Sequence, residues 1–203
     1  MNGRSYRGMT AEERLAERRE RLISAAYTLY AELGFPDTTI EKLCTVARIS
    51  NRAFYECFDS RDELMLVVYD RCVRETLAAV AKAVDEAPAT LGGRIEAGIS
   101  EYVRFVTADR RRARILHLEV RRAGDCLTVS RQEAVAGFCR ILETEPGLSG
   151  LRGAGRIDLR LVVLGMLGAI QELLIEWTLA AEPPPVERLI DTAVHIFRRT
   201  LAA

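Results

Sequence analysis

The sequence predicts an all-α fold of about nine helices. Three observations lead there. Apolar residues recur at helical spacing through almost the whole chain. Hydroxyl-x-x-acid boxes mark successive helix starts. Alternating Val/Ile/Thr/aromatic runs bounded by turns are hard to find.

The elements follow in order. Thr10-Ala-Glu-Glu13 is a capping box that opens the first helix, whose apolar face is Leu15, Leu22, Ala26, Leu29, Tyr30 and Leu33. Gly34 is placed to end it, and Pro36 lies beyond. Thr38-Thr-Ile-Glu41 is a second box, opening a short helix with Ile40, Leu43, Cys44 and Ala47 on one face. After Arg48-Ile49, Ser50 is a favourable N-cap for another short helix, expected from Asn51 to Phe58. Ser60-Arg-Asp-Glu63 starts a long helix carrying Leu66, Tyr69, Val73, Leu77, Val80 and Val84.

Ile95, Ile99, Tyr102 and Val106 define the next helix, closing near Ala108. Asp109 caps the basic stretch Arg110-Arg-Arg-Ala-Arg114, which leads into Ile115, Leu118 and Val120, and Gly124-Asp125 breaks it. Val135, Phe138 and Leu142 line another helix. The stretch 146–155 reads as a loop, and Gly150-x-x-Gly153-x-Gly155 lacks the Gly-Lys-Ser/Thr ending of a phosphate-binding loop. A strongly apolar helix runs from Ile157 to about Ala181, where Glu182-Pro-Pro-Pro185 stops it. Val186, Leu189, Ala193, Phe197 and Leu201 mark the last helix.

Composition bounds the function. With 49% hydrophobic and 29% charged residues in 203, the chain has both a core and a solvated surface. Lys+Arg and Asp+Glu are both 29, which excludes a polybasic tail or an acidic disordered chain. No run of about 18 apolar residues is seen, so no spanning helix and no membrane partner are expected. The charged N-terminus has no apolar core, so it is not read as a secretory signal, and a cytoplasmic location is expected. The cysteines Cys44, Cys57, Cys72, Cys126 and Cys139 show no C-x-x-C spacing, which reads as free thiols rather than a disulfide framework or metal site.

Catalytic patterns are weak. Ser24, Ser100, Ser130 and Ser149 lack a G-x-S-x-G context. His117 and His195 have no nearby nucleophile partner, and Glu172 and Glu176 have no metal-binding companion motif. No catalytic residue, cofactor or metal is expected.

The informative segment is Thr38 to Arg61. Two short capped helices joined by Arg48-Ile49-Ser50 have the layout of a helix-turn-helix. The second helix of such a unit presents its N-terminal residues to base edges in the major groove. Here those residues are Asn51, Arg52 and Ala53. Arg suits guanine O6/N7, Asn suits adenine N6/N7, and Ala offers a small apolar contact.

At this point Ile23 to Leu64 resembles the DNA-binding domain of the TetR family of transcriptional regulators. The matching residues are Ala25-Ala26, Leu29-Tyr30, Gly34-Phe35, Thr38-Thr39-Ile40, Leu43, Ala47, Ile49-Ser50, Phe54-Tyr55, Phe58 and Arg61-Asp-Glu-Leu64. The resemblance implies that Ser50, Asn51, Arg52 and Ala53 cover the base-reading end and that Tyr55 contacts a phosphate. It implies that Arg61, in place of the usual lysine, meets another, where its planar fork suits a bidentate contact. Thr39 at the start of the second helix suits a third. Arg4 and Arg7 are candidates for a minor-groove arm. Two positions depart from the family: Arg48 stands where glycine is usual, and Cys57 where a polar residue is common, which puts a phosphate contact there in doubt. Residues 1–61 hold ten Lys/Arg against nine Asp/Glu, so DNA affinity must come from local placement of cations, and a modest salt slope is expected.

The resemblance also divides the chain into a DNA-binding domain, 1–62, and a helical effector-binding and dimerisation domain, 63–203. It implies a cavity in the second, for which Tyr102, Phe105, His117, Phe138, Met166, Ile170 and Trp177 are candidate lining residues. It implies a dimer formed by the last two helices, for which Gly165, Gly168, Leu189, Ile190, Ala193 and Phe197 are candidates. The function implied is a ligand-responsive, sequence-specific regulator, a repressor that binds a palindromic DNA operator as a homodimer and is released by a small-molecule effector. The alternative is a helical small-molecule-binding protein or enzyme with a vestigial helix-turn-helix.

Overall fold

The computed structural model describes residues 10–143 and 158–201. Nine helices are present among the described residues, and no strand. They are α1 (Ala11–Glu32), α2 (Ile40–Ala47), α3 (Asn51–Tyr55), α4 (Arg61–Glu86), α5 (Leu91–Thr107), α6 (opening at Arg110–Arg114), α7 (Thr128–Glu143), α8 (Leu159–Leu179) and α9 (Val186–Leu201). The minor-groove arm read at Arg4 and Arg7, and the loop glycines Gly150, Gly153 and Gly155, lie outside the described residues.

Local caps set most of the boundaries. Thr10 and Glu13 exchange reciprocal hydrogen bonds with each other's amides, at 3.1 and 2.7 Å. Ser60 Oγ accepts from the Glu63 amide, but the Glu63 carboxylate turns to the amide of Asp59. The second cap falls one residue later than the spacing suggests. Thr39, not Thr38, accepts from the Lys42 amide, while the wholly buried Thr38 hydroxyl donates to Gly34 O at 2.8 Å. Leu15 and Leu33, read as part of the apolar face of α1, are both 41% exposed.

α6 is not regular. After Arg114 it widens into a π-turn, Ile115–Glu119, in which the Val120 amide bonds the carbonyl five residues back, and it resumes over Val120–Arg122. Gly124 at φ +72 then ends it, followed by a short 3-10 turn, Gly124–Leu127.

A continuous apolar cluster runs from Leu22 in α1 to Phe197 in α9. α1 packs on α2, α4 and α6, and α4 lies along α5. α5 is covered by α9, α8 bridges α6, α7 and α9, and α7 closes against α4. α8 is long and apolar enough to cross a membrane by length and composition, contrary to the reading that no such run exists. Its Val163, Met166, Ile170, Leu174 and Trp177 belong to the protein's own core, so that apolarity serves packing on one side.

Candidate DNA interface and effector cavity

The helix-turn-helix is fixed from below by aromatic burial. Phe54 and Phe58 are 0% and 2% exposed, which orients α3 so that Asn51, Arg52 and Tyr55 face outward. Tyr55 is 59% exposed, with its ring edge against Phe54. Ser50 caps α3 by accepting from the Ala53 amide at 3.2 Å, and Ala53 is half-buried. Arg52 is held only loosely, its Nε 3.5 Å from a Glu56 carboxylate that Arg18 also engages at 2.8 Å. Exposed pairs of this kind contribute little and leave Arg52 available to a partner.

Arg48 adopts left-handed backbone, φ 54 and ψ 52, between the two helices. A side chain there costs about 1 kcal/mol relative to glycine. The turn is held by the Ile49 amide on Cys44 O at 3.0 Å and by Arg21, which donates to the carbonyls of Ala47 and Arg48. Arg19 similarly donates to Cys57 O and lies 4.1 Å above the Phe58 ring. The charges of Arg19 and Arg21 thus clamp α1 to the reading unit, a role that their spacing on an exposed stretch of α1 does not reveal.

Arg61 and Cys57 both have partners inside the protein. The Arg61 guanidinium stacks 4.3 Å above the Phe35 ring and donates to Thr38 O at 2.8 Å. One arm of its fork, NH1, is thus engaged within the protein. The buried Cys57 thiol faces the core and is removed from any surface contact. Thr39 remains exposed beside the α2 N-terminus.

A cavity of about 480 Å³ opens between α4, α5, α6, α7 and α8. Tyr102, His117 and Phe138 line it, as read from sequence. Ile170 lines a smaller adjoining apolar chamber of about 50 Å³, together with Val80, Ile95, Ile99 and Phe197. Phe105, Met166 and Trp177 line neither. Phe105 lies under the Arg112 guanidinium at 3.9 Å, Met166 is closed in the core, and the Trp177 indole N–H donates to Pro184 O at 3.1 Å. Sequence reading missed Tyr69 and Thr76 on α4, Gln171, and three arginines, Arg121, Arg131 and Arg160. Those cations sit on three separate elements, so no local motif marks them.

Tyr102 organises the wall. Its ring meets Phe138 edge-on at 5.2 Å, and its hydroxyl lies 3.5 Å from His117 Nε2. His117 Nδ1 is buried without a hydrogen-bond partner, a deficit of about 1–3 kcal/mol. Burial, aided by the nearby Arg121 charge, pushes the imidazole pKa down to about 3 and holds the ring neutral. Burial likewise raises the Tyr69 phenol to about 12 and Tyr102 further still, so the wall offers uncharged hydroxyls.

The final helices correct the interface reading. Leu189, Ile190, Ala193 and Phe197 are all under 8% exposed within one subunit, because α9 lays that face on α5. The outer face of α9 is polar, with Glu187, Arg188, Asp191, His195, Arg198 and Arg199. Gly165 and Gly168 lie instead on an uncovered stripe of α8, where an added Cβ would meet nothing within 4 Å. Leu161 and Leu164 flank them, at 64% and 37% exposure, and Leu164 and Gly168 also stand at the cavity's edge.

The helix-turn-helix stands at one end of the helical body and the arginine-lined cavity at the other. Residues 22–68 match the model of the bacterial regulatory proteins of the tetR family. Over that segment the chain is similar to the DNA-binding domain of TetR-family transcriptional regulators. It is 23% identical over 161 residues to the fatty acid metabolism regulator protein of Bacillus subtilis, covering 78% of this chain and 82% of that protein. It shares its fold with the fatty acid degradation regulator FadR of Bacillus halodurans, at TM-score 0.76 and 16% identity over 92% of this chain and 95% of that one. The Bacillus subtilis FadR structure, solved in complex with stearoyl-CoA, aligns at TM-score 0.76 and 18% identity over 87% and 96%.

Proposed function

We propose that the protein is a cytoplasmic, homodimeric repressor that binds a palindromic operator and is released by an amphipathic anionic effector of the acyl-CoA class. It acts by binding, not by catalysis. The carrying observation is the cavity: Arg121, Arg131 and Arg160 supply cations, while Val73, Leu116, Val120, Val135 and Leu167 supply an apolar wall. Its volume lies in the range of about 300–1,000 Å³ usual for ligand sites. The relative solved with stearoyl-CoA supports the same class.

The division at residue 62/63 assigns Ser50, Asn51, Arg52 and Ala53 to base reading, with Tyr55 and Thr39 on phosphates. The α8 stripe of Leu161, Leu164, Gly165 and Gly168 is the seam between subunits, where the glycines admit close approach of a second helix. A two-fold dimer sets the two reading helices about 34 Å apart for a palindrome. An effector releases the DNA only through its different affinity for the two dimer states.

Calorimetric titration of stearoyl-CoA into the ligand-stripped protein tests the effector class. Saturable binding is expected, weakened at least tenfold when Arg121, Arg131 and Arg160 are all replaced by Gln. Absence of binding, or indifference to the triple replacement, overturns the acyl-CoA assignment.

A further inference from the structure

Glu119 is wholly buried, and no functional reading has used it. One carboxylate oxygen accepts from the Phe35 amide at 2.8 Å, across the junction between α6 and the α1–α2 turn. The other accepts from Arg122 at 3.0 Å and Arg114 at 3.3 Å. Gly34, at φ +89, gives the carboxylate room, since a Cβ there would stand 3.3 Å from its oxygen. Phe35 in turn carries the Arg61 guanidinium, which bonds Thr38 O next to the Thr39 cap of α2.

Glu119 also closes the π-turn Ile115–Glu119, and Leu116 and His117 of the same turn line the cavity. A π-turn holds one residue more than the α-turn it replaces. Returning it to α register rotates one flank about 100° relative to the other.

We propose that Glu119 is the positioning residue through which the effector cavity sets the DNA-reading unit. With the π-turn in place, Glu119 holds Phe35, and through Phe35 and Arg61 the start of α2. A ligand that presses on Leu116 and His117 shifts the turn towards α register and withdraws Glu119 from the Phe35 amide. The inference rests on the effector reading of the cavity.

The test compares full-length wild type with Glu119→Gln, measuring operator affinity with and without saturating stearoyl-CoA. Glutamine offers one oxygen to three donors, so it cannot satisfy Phe35, Arg114 and Arg122 together. We expect stearoyl-CoA to bind both proteins within about twofold. We expect ligand-free Glu119→Gln to bind operator about tenfold more weakly than ligand-free wild type, with little further loss on adding ligand. Glu119→Asp should recover part of the response. A variant that keeps the full wild-type ratio of affinities overturns the role of Glu119, even if its melting temperature falls. Failure of stearoyl-CoA to bind wild type overturns the effector reading instead. Hydrogen exchange of the Phe35 amide in wild type gives a second readout that needs no variant: it should accelerate when stearoyl-CoA binds, and unchanged protection contradicts the proposal.

Discussion

The Arg61 guanidinium lies 4.3 Å above the ring of Phe35 while its NH1 donates to Thr38 O at 2.8 Å. The first residue of α4 is thereby tied to the turn between α1 and α2. Arg61 acts as a brace inside the reading unit more than as a cation offered to DNA. Arg61→Gln should lower the unfolding free energy by about 1–2 kcal/mol, the loss of a charged hydrogen bond and a cation–π contact. The slope of log K against log salt should not change. A slope shallower by about one would return Arg61 to phosphate contact.

Arg52 and Tyr55 leave the same short helix on different errands. Arg52→Ala should relax preference at one base position in each half-site, at a cost of about 1–3 kcal/mol for the preferred sequence. Tyr55→Phe should weaken binding to all sequences about equally, because a phosphate carries no sequence information. Binding selections from a randomised operator library read both effects. An unaltered preference in Arg52→Ala removes Arg52 from base reading.

Burial separates two candidate seams between subunits. Phe197 is 3% exposed within its own subunit and touches the apolar chamber beside Tyr102. Phe197→Glu should therefore unfold the protein, losing about 3 kcal/mol or more. Leu161→Arg, on the uncovered stripe of α8 and outside the cavity, should instead give a folded monomer by sedimentation that no longer binds operator. A Leu161→Arg protein that remains dimeric places the seam elsewhere.

The neutral His117 gives stability a defined pH dependence. Its folded pKa of about 3 lies below the ordinary 6.5, so below pH 6.5 the unfolded chain binds a proton that the folded one refuses. Its contribution is full above pH 6.5 and is lost progressively as pH falls towards 3. Melting temperatures at pH 7 and pH 5 should differ more for wild type than for His117→Gln. Equal differences would mean that His117 is protonated in the folded state.

The boundaries most legible in the sequence were those that neighbouring residues decide. Thr10, Ser50 and Ser60 cap helices because an amide two or three residues on is within reach whatever the rest of the chain does. The periodicity of α9 likewise showed that Leu189, Ala193 and Phe197 are buried. It could not show that α5, rather than a second subunit, does the burying, since an apolar stripe looks the same for either partner. Charges were least legible. Arg121, Arg131 and Arg160 each resemble a solvated side chain until α6, α7 and α8 bring them to one cavity. Glu119 reads as one more surface acid in a charged stretch, and only the packing of α6 on the α1–α2 turn makes it a buried acceptor for Phe35. Within the helix-turn-helix, where local chemistry dominates, Asn51, Arg52 and Tyr55 are exposed as their spacing implied.

Specific recognition of DNA by a dimer can be read by incubating ligand-stripped protein with sheared DNA from its source genome at about 150 mM salt and sequencing what is retained. A palindrome whose half-sites are centred about 34 Å apart is expected, and its loss when stearoyl-CoA is added. Recovery of random fragments only, by protein that is folded, dimeric and free of ligand, would contradict it.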